Sequence, residues 1–175
     1  ISSLRNEYPD IPFIGMEPAI KPAVKRTSTG VVGVLATAGT LKADKYLNTR
    51  EKWAENVKIA EHIGQGFVEL VENGNTSGPE AEAIVKDSLQ PILDEGADVI
   101  VLGCTHYPFL TGTISKVAAE LYPDRELKII DPAPAVARHA LEVMEEKGLV
   151  SAKGFSMELN ASGDPTTLLE TYDRL

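Results

Sequence analysis

The chain predicts an α/β fold on a largely parallel sheet, and three observations carry that prediction. Residues 30–36, with Val31, Val32, Val34 and Leu35, and residues 98–102, with the run Val99-Ile100-Val101-Leu102, are apolar stretches of the kind that form strands buried on both faces. Segments with helical spacing lie between the strand-like runs, so the two kinds of element alternate along the chain. Each of these strands runs straight into small and polar residues, Thr37-Ala38-Gly39-Thr40 after the first and Gly103-Cys104-Thr105-His106 after the second.

The remaining elements follow in order. Residues 2–7 read as helix and 12–16 as a short strand. Pro18 and Pro22 make 17–22 a loop or connection that enters a helix. After the turn at 37–40, residues 42–55 read as helix and the alternating 57–60 as a third strand. Phe67, Leu70 and Val71 have helical spacing, so 67–73 is a short helix stopped by Gly74, followed by a polar loop over 73–78. Pro79 opens the next helix at its favoured first position, with Glu80 and Glu82 complementing the helix dipole. Ala81, Ile84, Val85, Leu89, Ile92 and Leu93 form its apolar stripe. Pro91 predicts a kink and Gly96 its end. Residues 111–121 read as helix, 126–131 as strand and 133–146 as helix with Gly148 just beyond. Residues 155–159 alternate like an edge strand, and 165–173 close the chain as a helix. There is no internal repeat and no low-complexity tract.

Composition narrows the function classes. A chain of 175 residues, 43% hydrophobic and 25% charged, suits one globular domain, or one with a piece of another. The net charge of −9 argues against a nucleic-acid partner, because phosphate binding needs a basic face. No apolar stretch approaches the roughly 20 residues of a membrane span, and no stretch of these 175 residues reads as a signal peptide. The single cysteine excludes an intrachain disulfide and no Cys/His cluster has zinc spacing, which fits a reducing cytoplasm. No glycine-rich phosphate-loop or dinucleotide pattern is present, and nothing requires a metal, pyridoxal phosphate or nucleotide, so no cofactor is expected.

The chemistry-bearing residues cluster after the strand at 98–102. In open α/β sheets ligands bind at the carboxyl ends of strands. There the sequence places the thiol of Cys104, the hydroxyl of Thr105 and the imidazole of His106 side by side. A buried structural cysteine with a turn histidine is the plain alternative. A thiol whose ionisation is tuned by its neighbours can take a proton from carbon and return one. Thr37 and Thr40 stand at the end of the other buried strand, where their hydroxyls either hold a small carboxylate or cap the following helix. His62 and His139 have no motif around them and read as structural or solvated. Asp131 reads as the cap of the helix after it.

The segment Leu102-Gly103-Cys104-Thr105-His106-Tyr107-Pro108 resembles the second catalytic motif of the glutamate racemases in the aspartate/glutamate racemase superfamily. Gly33-Val34-Leu35-Ala36-Thr37-Ala38-Gly39-Thr40 resembles that family's strand ending in Thr-x-Gly-Thr. Phe67-Val68-Glu69-Leu70-Val71-Glu72-Asn73-Gly74 resembles its Val-Pro-Leu-Val-Glu-x-Gly segment, and Ile129-Ile130-Asp131 the strand by which its chain returns to the first domain. The segments occur in the family's order over nearly the whole chain. Lys42 and Ala43 depart from the family, which tends to have a small polar or hydrophobic residue and then Ser.

The resemblance implies one of two pseudo-symmetric parallel-sheet α/β sandwich domains plus part of the other. Residues 1–18 would be a remnant of the first domain, 19–123 the complete second domain and 124–175 the return to the first. It implies a cofactor-independent, two-base interconversion of L- and D-glutamate for peptidoglycan synthesis. Cys104, His106 and Glu72 would do the chemistry, although a glutamate at a helix end is otherwise simply solvated, and Thr37, Thr40 and Thr105 would hold substrate. The family's first cysteine, in a Cys-Asn-Thr-Ala motif, and its Asp-Ser-Gly motif have no counterpart in these 175 residues. The chain therefore reads as a fragment with one of two catalytic cysteines, inactive alone. Its partner would be the small-molecule substrate, with a homodimer allowed by the apolar face of 126–175. A non-catalytic binding or interaction module and a single-cysteine lyase of the arylmalonate-decarboxylase type are the competing readings.

Overall fold

The computed structural model describes residues 1–150, 154, 157–160, 162–163 and 165–174. Helices α1 (Ser2–Glu7) and α2 (Ile20–Val24) precede strand β1 (Val31–Ala36). Two helices, α3 (Ala38–Lys42) and α4 (Asp44–Trp53), lead to β2 (Lys58–Ile63). Helices α5 (Phe67–Glu72) and α6 (Pro79–Asp94) lead to β3 (Val99–Gly103). A 3-10 turn over Tyr107–Leu110 runs into α7 (Thr111–Leu121), and β4 (Lys128–Ile130), α8 (Ala133–Glu146) and α9 (Pro165–Arg174) follow.

The four strands form one parallel sheet in the order β2-β1-β3-β4. This is the α/β architecture that the alternation of elements predicts. Successive side chains of β1 and β3 point to opposite faces, as strand geometry requires, and each face has its own core. Leu35, Ile100 and Leu102 pack with Phe67 of α5, Leu89 and Ile92 of α6 and Ile114 of α7. Val32, Val34, Val99 and Val101 pack with Ile20 of α2, Tyr46 of α4 and Ile130 of β4. Strand order reverses direction between β1 and β3, because the chain moves from β1 out to β2 and then back across to β3. Their carboxyl ends therefore flank the crevice where such sheets bind ligands.

Several elements differ from the sequence reading. Residues 12–16 form no strand; Pro12 offers no N–H, and no neighbouring strand pairs with them. The single helix read over 42–55 is two, because Ala43 is extended at φ −72°, ψ 132° between α3 and α4. Strand β2 continues past residue 60 to Ile63, through Glu61 and His62. Helix α6 runs on through Pro91 to Asp94. Of the edge strand read at 155–159, residues 155 and 156 lie outside the described residues, and Met157, Glu158 and Leu159 are not in a strand. Strand β4 pairs with β3, so the sheet extends past residue 123. Helix α8 contains no buried residue, and its Leu141 and Met144 are exposed.

Candidate active site

Gly103 brings the carboxyl ends of β1 and β3 together. A Cβ at Gly103 would lie 2.7 Å from that of Ala36 and 3.3 Å from the Leu35 carbonyl oxygen, so the close approach admits only glycine. Cys104 is the next residue, carried past the sheet edge and half-buried. Its loop is wound on itself. The Tyr107 N–H donates to the Cys104 carbonyl at 3.3 Å, and the Phe109 N–H donates to the His106 carbonyl at 3.2 Å.

That winding returns the imidazole of His106 toward the thiol, with Cys104 Sγ 3.8 Å from His106 Nδ1. The other ring nitrogen, Nε2, lies 2.6 Å from Oε1 of Glu72 at the end of α5. An ionised carboxylate only accepts, so Nε2 carries the proton, and in the neutral ring Nδ1 faces the sulfur as an acceptor. The arrangement can take the thiol proton and hold the resulting imidazolium against Glu72. The thiolate it leaves is the reactive form of cysteine.

A cavity of about 270 Å³ opens beside Cys104. Its floor is Leu102, Gly103, Cys104 and Thr105, Thr40 stands at one side, and Met16, Glu17, Pro18 and Pro132 close it from the two connections that flank the sheet. Nothing in the sequence marks those four wall residues as a site, since 17–22 reads only as a connection. The sole available signal was that two proline-bearing linkers bracket the sheet.

The threonines separate into two environments. Thr105 is exposed on the cavity floor. Thr37 caps α3, accepting the Thr40 N–H at 3.3 Å, and its hydroxyl lies 3.0 Å from that of Thr40. Only Thr40 of this pair reaches the cavity wall. Asp131 accepts the Ala133 N–H at 2.8 Å at the start of α8. His62 Nδ1 lies 3.0 Å from the Ile63 carbonyl, and His139 faces Glu142 on the outside of α8. Among the described residues no three His, Cys, Asp or Glu side chains are grouped so as to hold a metal ion. No helix among them is long and apolar enough to cross a membrane.

Residues 1–140 match the family described as Asp/Glu/Hydantoin racemase. The chain belongs to this family. The chain is 40% identical over 178 residues to a glutamate racemase of Roseiflexus sp. (strain RS-1), covering 100% of this chain and 64% of that protein. It is also 40% identical over 151 residues to a glutamate racemase of Pseudomonas aeruginosa, covering 86% of this chain and 55% of the relative. The chain thus spans less than two thirds of the length of these racemases. Among solved structures it resembles Escherichia coli glutamate racemase in complex with L-glutamate and the activator UDP-MurNAc-ala, with a TM-score of 0.77 and 28% identity over 99% of this chain and 65% of that one. It also resembles the Francisella tularensis enzyme in complex with D-glutamate, with a TM-score of 0.68 and 25% identity over 87% and 55%.

Proposed function

We propose that this chain is part of a cofactor-independent glutamate racemase and that Cys104 is one of its two bases. The observation that carries the reading is the open cavity at the switch point of the sheet, with Cys104 on its floor and His106 and Glu72 lined up behind the thiol. The glutamate racemases it matches supply the substrate class. Inverting an α-carbon needs a proton removed on one face and one delivered on the other. Cys104 serves one face. The other needs a second thiol, and this chain has one cysteine. Thr40 and Thr105 stand where they can hold the substrate's carboxylates, with Thr37 supporting Thr40 through its hydroxyl.

On this reading residues 19–123 supply most of one domain, whose sheet β4 completes, and residues 1–18 and the chain beyond β4 belong with the half that carries the second thiol. The exposed Leu4, Tyr8, Ile11, Leu141 and Met144 support an apolar contact of that kind, which a homodimer could also satisfy. The D-glutamate would go to peptidoglycan, made from cytoplasmic precursors.

The test is Cys104→Ala in the protein that unites this chain with the second base. Interconversion of L- and D-glutamate, followed by circular dichroism, should fall by at least about a thousandfold. Turnover at the wild-type rate would remove Cys104 from the mechanism. The 175-residue chain alone should leave the ellipticity of L-glutamate unchanged, and robust turnover by it would overturn the two-base reading.

A further inference from the structure

The ion pair between His106 and Glu72 is exposed, with side-chain accessibilities of 31% and 58%. A pair so wet contributes little to stability and does not hold two backbones in register by itself. Its partners come from different elements, the loop after β3 and the end of α5. Something buried has to fix one against the other.

Tyr107, adjacent to His106, is buried at 1% accessibility. Its hydroxyl donates to the Gly64 carbonyl at 3.2 Å, and its ring meets that of Phe67 edge-on with centroids 4.9 Å apart. Phe67 is the first residue of α5, a helix of six residues whose last is Glu72. Gly64 lies in the turn between β2 and α5. A Cβ there would stand 2.7 Å from the phenol carbon and oxygen of Tyr107 and 2.8 Å from Phe67, so the ring seats directly on the glycine backbone. Burial, and then the nearby Cys104 charge, push the Tyr107 hydroxyl up to about 12, so it remains a donor throughout the working pH range.

We infer that Tyr107 is a positioning residue: by clamping the loop after β3 onto Gly64 and Phe67 it sets the α5 carboxylate, Glu72, against His106 and so governs how readily Cys104 becomes a thiolate. The inference rests on the roles proposed for Cys104, His106 and Glu72. Because α5 is short and begins at the clamp, displacement of Phe67 carries Glu72 with it. A buried aromatic contact between the two elements also resists the side-chain fluctuation that an exposed ion pair permits.

Cys104 is the sole cysteine, so iodoacetamide reports on it alone, and the rate against pH reports its thiolate. Glu72→Gln should lower the alkylation rate at pH 7 by about three- to tenfold, and Tyr107→Phe, which keeps the ring and loses the bond to Gly64, by about two- to fivefold in the same direction. The double variant should react no more slowly than Glu72→Gln alone, because both act through one carboxylate. Gly64→Ala, which displaces the ring, should reproduce the Tyr107→Phe profile. If Glu72→Gln shifts the rate while both Tyr107→Phe and Gly64→Ala follow the wild-type profile, the inference is overturned and Tyr107 is merely part of the core. Independent, multiplying effects of the two substitutions would overturn it as well. No effect of Glu72→Gln would overturn the role given to Glu72 itself, and this inference with it.

Discussion

The two ends of β3 carry polar clusters of opposite character. At the amino end Asp98 is buried and its carboxylate takes five donors: the hydroxyls of Thr27, Ser28 and Thr29 and the N–H groups of Ser28 and Thr29. At the carboxyl end Cys104 and His106 are only partly buried, Glu72 is exposed, and each makes few contacts. The first cluster has no spare valence for a ligand. Its donors join the loop before β1 to the start of β3, so it acts as a staple. The second leaves a thiol and hydroxyls facing open space. Saturation of hydrogen-bonding capacity, rather than the presence of ionisable groups, distinguishes structure from chemistry on this sheet.

The largest effect on stability should come from breaking the staple. Asp98→Ala takes from the part-buried hydroxyls and N–H groups of Thr27, Ser28 and Thr29 their shared acceptor and should cost about 2 kcal/mol in chemical denaturation. Cys104 alkylation at pH 7 should be unchanged, since the two clusters sit at opposite ends of the strand. A loss under about 1 kcal/mol would show that water replaces the carboxylate and that the staple is ornamental. The pH dependence has a definite sign. Burial alone would raise the Asp98 carboxyl, but the bonds from Ser28, Thr27 and Thr29 hold it well below the usual carboxylate range. A group whose folded value is depressed contributes stability above its unfolded value, near about 3.9, and loses it as the pH falls through the folded value. The melting-temperature gap between wild type and Asp98→Asn should therefore be constant from about pH 7 to 5 and narrow below about pH 4.

Thr37 lies between the two characters, since it is both a cap and a neighbour of the cavity-lining Thr40. Thr37→Ala should cost about 1 kcal/mol through the lost cap of α3. On the proposed racemase reading, Thr40→Val in the protein that carries both bases should raise KM more than it lowers stability. If Thr37→Ala leaves stability intact and raises KM instead, the division between cap and ligand contact drawn here is reversed.

What the sequence discloses follows the range of the interactions. Strands β1 and β3 are legible because both of their faces are buried, which makes them runs of Val, Ile and Leu. The outer strand β2 is read short because Glu61, which accepts from Tyr46 and Arg50, makes its second half polar. The break at Ala43 is invisible, since alanine favours helix and only tertiary placement of α4 selects its extended conformation. At the site, Cys104 and His106 are legible by adjacency. Glu72, 34 residues from His106, enters only through a family motif, and Tyr107 is passed over because its partner Gly64 is 43 residues away. The cavity walls at 16–18 and 132 come from linkers whose position no periodicity encodes.

The smallest effect on stability is expected where the bond looks strongest. The contact from His106 Nε2 to Glu72 Oε1 is 2.6 Å long, within the range of the bonds that hold Asp98. Length alone would rank the two clusters together. Exposure separates them: the Glu72 side chain is 58% accessible, so its removal returns both groups to water instead of stranding them in the interior. Glu72→Gln should therefore change the free energy of unfolding by no more than about 0.5 kcal/mol, while the same substitution slows alkylation of Cys104. A loss of 2 kcal/mol or more, measured by urea denaturation, would mean that Glu72 is a second staple. The two ends of β3 would then differ in geometry but not in purpose.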